Sequence, residues 1–193
     1  MRPIVWRSRL MRPYNAHRFG AFGAGSIVHK PTWVYNAHLM AIGAHVLVLT
    51  GASLSVEGSP ERDGPVLSIG DRVGIRPAVT ISASERVTIE DDVIIGSFSS
   101  IVDSDHTFDL GRPNVMHNPS RTAPIQIGRG TWLAERVAVL KGVTIGRCCM
   151  VGANSVVRED LPDYSIAVGV PARVVGKVEG VDADAPPITA ALW

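Results

Sequence analysis

Six histidines, two cysteines and 18 carboxylates are among the side chains in this 193-residue sequence that could move a proton, hold a metal or attack an electrophile. Of His17, His29, His38, His45, His106 and His117, only His106 follows alternating acids, in Asp103-Ser104-Asp105-His106. An imidazole titrates near neutral pH, so it can take the proton of a hydroxyl that is otherwise a poor nucleophile. Asp103 and Asp105 could orient that ring or meet a substrate, and they equally suit the turn at a loop entrance. His117 fits either a second substrate contact or a solvated loop position. A zinc site would need clustered His or Cys ligands at characteristic spacing, and the sequence offers none, so no metal is expected. Cys148 and Cys149 are adjacent and poorly placed to pair with each other. Their scarcity points to a reducing compartment.

The elements that must position these groups are set by a repeat. Ile127, Leu133, Val139, Ile145, Val151 and Val157 follow one another at intervals of six, and the same phase returns at 42/48/54, 69/75/81 and 89/95/101. Four positions after each aliphatic stands a small or β-branched residue, as at Val46, Val73, Ser99, Thr131, Cys149 and Ser155. A period of six fits neither an amphipathic helix nor simple strand alternation. It describes a short extended segment and a corner, repeated. One aliphatic and one small inward residue per segment leave a narrow core without room for stacked rings, in keeping with an aromatic content of only 6%. Cys149 occupies a small inward position with no base beside it and reads as core filling, while Cys148 should point outward.

Ile127-Gly128-Arg129-Gly130-Thr131-Trp132-Leu133-Ala134, Val143-Thr144-Ile145-Gly146 and Val151-Gly152-Ala153-Asn154-Ser155-Val156-Val157 resemble the hexapeptide-repeat acyltransferases. The resemblance covers residues 27–175 and implies an all-β fold, a left-handed parallel β-helix with three hexads per coil. Its handedness comes from the resemblance, since the usual crossover rule would predict the opposite. Grouped by threes, the hexads are interrupted after 54, after 81 and after 101, with steps of 15, 8 and 26 residues, and never within a group. All the extra chain should therefore leave the prism at one corner, which is where chemistry is expected.

The resemblance also implies roles. His106, at the sixth position of the hexad before the excursion 107–123, would be the general base that activates an acceptor hydroxyl for attack on the thioester of acetyl-CoA. Trp132 would face the donor, Ala134 and Ala153 would lie along its pantetheine arm, and Arg173, in Gly169-Val170-Pro171-Ala172-Arg173, would meet its phosphates. Glu159 stands where the family often carries a Lys, with Arg158 one residue earlier as the cation that could substitute, and Arg76 stands where sugar-acetylating members carry an Asn that assists the acceptor or oxyanion. A homotrimer with a saccharide or other small-molecule acceptor is implied. Acylation of an aminosugar and a non-catalytic repeat scaffold are the alternatives. The zinc-binding carbonic anhydrases of the same fold would need a His-x4-His pair that this chain lacks.

Composition bounds the rest. Nineteen Lys and Arg against 18 Asp and Glu give a net charge of +1, and 46% hydrophobic residues argue for a folded domain. No apolar run of about 18 residues suggests a membrane span. Charges in Met1–Arg9 interrupt any signal-peptide core, so a cytoplasmic location is expected. Residues 1–26 read as a basic arm: Arg2, Arg7, Arg9, Arg12, Arg18 and then Lys30 precede the first acid, Glu57. No nucleic-acid module accompanies them, and contact with an anionic partner or membrane surface stays open. Residues 176–193 read as a Pro- and Ala-rich tail.

Overall fold

A computed structural model describes residues 17–57, 64–108, 115 and 118–180. Among them no helix is long and apolar enough to cross a membrane. Short strands stack into three parallel faces of a prism. The first face carries Ala21–Phe22, Met40–Ile42, Leu67–Ile69, Val87–Ile89, Ile125–Ile127 and Thr144–Ile145. The second carries Ile27–Val28, Leu47–Val48, Gly74–Ile75, Ile94–Ile95, Trp132–Leu133, Met150–Val151 and Ser165–Gly169, and Ala172–Lys177 returns antiparallel along its end. The third carries Trp33–Tyr35, Ser53–Val56, Thr80–Ala83, Ser100–Val102, Ala138–Val139 and Val156–Val157. The chain visits the faces in that order, so each circuit adds one coil, and the architecture is a left-handed parallel β-helix.

Register follows the sequence repeat residue for residue. Ile42, Ile69, Ile89, Ile127 and Ile145 are stacked partners on the first face. Leu54, Ile81, Ile101, Val139 and Val157 are partners on the third. These side chains are buried, and burying each stabilises the fold by roughly 1.5–3 kcal/mol. Buried hydroxyls at the small positions stitch adjacent coils. Thr131 Oγ1 donates to the Gly146 carbonyl at 2.9 Å and accepts from the Cys149 N–H at 3.1 Å. Ser99 does the same between the Ala134 carbonyl and the Val137 N–H. A hydroxyl can both donate and accept, so neither inward polar atom is orphaned.

Corners are made by residues in the left-handed region: Arg72, Asp92 and Cys148 on the edge between the first and second faces, and Ala78, Phe98, Arg136 and Asn154 between the second and third. Each such non-glycine residue carries a cost of about 1–2 kcal/mol. Hydrogen bonds to the previous coil hold them, as from Arg72 N–H to the Ala44 carbonyl and from Asp92 N–H to the Asp71 carbonyl. Carboxylates reinforce the first of these edges. Asp71 accepts from the Ala44 N–H, Asp91 from the Asp71 N–H and Asp163 from the Arg147 N–H. Such approach leaves no room for a side chain at Gly70, where a Cβ would stand 2.5 Å from Asp91 Oδ1.

Three expectations are corrected. Stacking begins at Ala21–Phe22, within the segment 1–26 read as an arm, and strand structure continues to Lys177, beyond residue 175. The excursion 107–123 is not loop throughout, because it returns as a strand, Ser120–Thr122, antiparallel to Ser104–His106. Cys148 is not an outward surface thiol: it is 9% exposed at a left-handed corner beneath Gly130. Cys149 is fully buried as expected, and burial pushes its thiol up from the ordinary range.

Candidate functional site

The three interruptions expected from the sequence leave between the third and first faces, between Val56 and Leu67, between Ala83 and Val87, and between Val102 and Ile125, and the first coil adds a fourth there, between Tyr35 and Met40, where Ala37–Leu39 forms a 3-10 turn. The largest of them carries His106. Its outgoing limb, Ser104–His106, pairs with the returning limb so that Ser104 faces Thr122, Asp105 faces Arg121 and His106 faces Ser120. A two-stranded ribbon alone is marginal, so its attachments matter. Thr122 Oγ1 donates to Glu85 Oε2 at 2.7 Å, and Ser84 and Ser104 hydroxyls meet at 3.3 Å. Beyond the ribbon, Thr107 Oγ1 donates to the Pro119 carbonyl and Asn118 Nδ2 donates to the Thr107 carbonyl. His106 itself is exposed, and its ring makes no hydrogen bond among the described residues.

The two aspartates divide. Asp105 is exposed and lies 3.5 Å from Lys141 Nζ, an exposed pair of little energetic weight. Asp103 is fully buried, and its carboxylate is occupied: Oδ1 accepts from the Ser84 N–H at 2.6 Å, and Oδ2 accepts from the Glu85 and Arg86 N–H groups, both at 2.8 Å. The expectation that Asp103 orients His106 or touches an acceptor is therefore corrected. It ties the root of the ribbon to the corner of the coil below. His117 lies outside the described residues.

The residues assigned to the donor stand elsewhere. Trp132 is 45% exposed on the outer side of the second face, stacked in register between Ile94 and Met150. Ala134 and Ala153 begin the corner that follows that face, and Arg76 occupies the same edge, directly after Gly74–Ile75. Sequence reasoning expected one chemical edge. A residue one step past the second hexad, however, reaches the second edge, whereas His106 leaves from the third. One subunit does not bring Arg76, Trp132, Ala134 or Ala153 to the edge of His106, whereas Arg158, directly after Val156–Val157, leaves on that same third edge in a later coil. Arg158 and Arg173 both face Glu159, with Arg158 Nε 3.5 Å from Oε1 and Arg173 Nη1 2.9 Å from Oε2. Any phosphate reaching Arg173 would compete with that carboxylate.

A shallow recess on the first face, bounded by Ser68, Gly70, Thr88, Glu90, Asp91 and Arg129, does not include His106. Its charges are engaged with one another. Arg72 Nε donates to Asp92 at 2.6 Å and Arg129 Nε to the same carboxylate at 3.3 Å. The Arg72 hydrogen bond, more than any other contact, holds the Asp92 carboxyl below its usual range. The acids capping this edge were not singled out from the sequence, although Ile-Gly-Asp at 69–71 and Leu-Pro-Asp at 161–163 mark two of them. Among the described residues no group of three or more His, Cys, Asp or Glu is placed to hold a metal ion.

A prism of hexad strands with a histidine-bearing ribbon at one edge defines the class of left-handed β-helix repeat proteins. Residues 124–159 match the family model described as bacterial transferase hexapeptide (six repeats). The chain is 31% identical over 158 residues, 78% of each chain, to the provisionally named lipopolysaccharide biosynthesis O-acetyl transferase WbbJ of Escherichia coli. It is 39% identical over 109 residues to a provisionally named acetyltransferase of Mycobacterium tuberculosis, spanning 56% of this chain but only 36% of that relative. The N-acyltransferase AntD of Bacillus cereus, solved with dTDP and 3-hydroxybutyryl-CoA, superposes with a TM-score of 0.74 at 21% identity, over 86% of this chain and 87% of AntD. The chain belongs to the hexapeptide-repeat acyltransferase family.

Proposed function

We propose that this protein transfers an acetyl group from acetyl-CoA to a hydroxyl of a sugar or sugar-containing acceptor, with His106 as general base. The observation that carries the reading is an exposed imidazole on a braced ribbon, at the root of the longest interruption of the repeat. His106 takes the acceptor hydroxyl proton as the oxygen attacks the thioester carbonyl. The tetrahedral intermediate then expels the CoA thiolate, which takes the proton back from the imidazolium, giving an acetyl ester and free CoA. The O-acetyl transferase name of the 31% identical relative supports a hydroxyl acceptor. The N-acyltransferase among the structural neighbours supports the second reading, an aminosugar acceptor served by the same base.

Trp132, Ala134 and Ala153 would line the donor, with Arg173 and Arg158 at its phosphates and Arg76 toward the acceptor. Since Trp132 on the second face, and Ala134, Ala153 and Arg76 at the edge that follows it, stand apart from His106 on the third edge, the reading includes a homotrimer in which the second edge of one subunit meets the third edge of the next. It operates in the cytoplasm, where acetyl-CoA is supplied.

The deciding experiment is free-thiol release from acetyl-CoA in a screen of hydroxyl and amino acceptors, comparing the native protein with His106→Asn. A His106→Asn enzyme that turns over unchanged refutes the base. Acetyl-CoA at about 100 times its Kd should stabilise the native protein by about 2.7 kcal/mol, or roughly 5–10 °C in Tm. No shift at any concentration favours a non-catalytic scaffold.

A further inference from the structure

Beside the proposed base, the fold buries an amide and satisfies only half of it. Asn118 is 6% exposed. Its Nδ2 donates to the Thr107 carbonyl at 2.6 Å, which fixes the orientation of the amide, because a carbonyl can accept only from the NH2 end. Its Oδ1 has no hydrogen-bond partner, and it is the single buried side-chain nitrogen or oxygen among the described residues in that condition. Leaving a buried acceptor unmet is costly, because it has lost its water without gaining a donor. A side chain kept in that state marks the place of a donor.

The ribbon register indicates which donor. Pairing of Ser104 with Thr122 and of His106 with Ser120 puts His106 and Ser120 on the same side, and position 118 lies two residues before Ser120, just outside the ladder. The bonds from Thr107 to the Pro119 carbonyl and from Asn118 to the Thr107 carbonyl hold the two limbs together past the last ladder pair. The Asn118–Thr107 bond sets the amide directly beside the residue that follows His106. Competing charges are otherwise engaged. Asp105 and Arg121 lie on the opposite side of the ribbon, with Asp105 paired to Lys141, and Glu85 on the coil below accepts from Thr122.

We propose that Asn118 is the positioning residue of the base: the His106 ring, which makes no hydrogen bond among the described residues, turns so that one ring N–H donates to the unmet Asn118 Oδ1. That bond selects one tautomer and leaves the lone pair of the other ring nitrogen for the acceptor hydroxyl. The inference rests on the reading of His106 as the base, but its test does not depend on turnover.

The test is ¹⁵N NMR of the full chain labelled at histidine, with His106 assigned by the resonances lost in His106→Asn. In the native protein the neutral His106 ring should show one protonated and one unprotonated nitrogen, the signature of a single tautomer. Asn118→Ala should move both shifts toward the tautomer-averaged values of free imidazole, and Asn118→Asp, which keeps an acceptor oxygen, should restore the separation. Averaged shifts in the native protein, or an unchanged separation in Asn118→Ala, overturn the proposal. If Asn118→Ala does not fold, the native spectrum decides alone. Once an acceptor is known, Asn118→Ala should lower kcat by up to about 100-fold with the KM for acetyl-CoA unchanged. Should His106→Asn retain full CoA release while the native ring is pinned, the base assignment fails and the contact stands.

Discussion

Replacing Asp103 with Ala removes one buried carboxylate and strands three backbone donors at once. The Ser84, Glu85 and Arg86 N–H groups all point to Asp103, at 2.6, 2.8 and 2.8 Å. Ser84 and Glu85 are half-buried and Arg86 is exposed, so water can partly replace the lost acceptor. Taking about 1 kcal/mol per bond gives roughly 3 kcal/mol for Asp103→Ala. For a domain of this size that is a fall in Tm of roughly 6–12 °C. Asp103→Asn should cost less. One amide oxygen can keep the Glu85 and Arg86 pair while the NH2 is turned against the Ser84 N–H, for a loss of about 1–2 kcal/mol. Thermal unfolding at fixed protein concentration ranks the three proteins, and hydrogen exchange at Ser84, Glu85 and Arg86 localises the effect. A melting point for Asp103→Ala within about 1 °C of the native value, or unchanged protection of those amides, would show that the carboxylate does not hold this corner.

Gly70→Ala should destabilise by about 1–3 kcal/mol, because the new Cβ would stand 2.5 Å from Asp91 Oδ1 and 2.7 Å from the Asp91 N. Gly176→Ala, whose Cβ meets only Ile166 at 3.8 Å or more, is the control and should melt with the native protein. Acid should act through Asp92. Its folded carboxyl lies below the usual range because of the Arg72 hydrogen bond. Its stabilising contribution is therefore complete above the unfolded value of about 4 and disappears as pH falls through the lower folded value. In a pH series of melting curves Asp92→Asn should be less stable than the native protein near neutrality, and the two should converge below about pH 4. A gap that stays constant across the series would count against this ion pair.

The coil architecture was legible because its constraint is local and repeated. A three-sided core admits one large aliphatic per side, and register then follows from counting, as the partners Ile69, Ile89 and Ile127 show. The first coil escaped because it begins with an aromatic. Phe22, Val28 and Val34 do lie six apart, but a phenylalanine breaks the aliphatic pattern. Among the described residues its strand is at the edge of the first face, and its ring sits 5.2 Å from that of Phe19. The site was less legible for two reasons. Composition does not say whether an acid near a histidine faces the solvent, as Asp105 does, or turns into the scaffold, as Asp103 does. Spacing, moreover, distributes residues over the edges of one prism, so Trp132 and His106 were each identifiable while their separation was not.

Restricting every interruption to one edge gives the chain a single place where length is free. Inserts of quite different size there leave the stacked partners of Ile69, Ile89 and Ile127 in register. Lengthening a surface loop costs only about 0.6 kcal/mol per doubling, whereas one extra residue within a face would turn every later side chain inside out. Variation is thus channelled. Descendants of this chain can lengthen, shorten or exchange the segments that surround His106 without renegotiating the core, so the surroundings of that histidine can drift quickly on a scaffold that hardly changes.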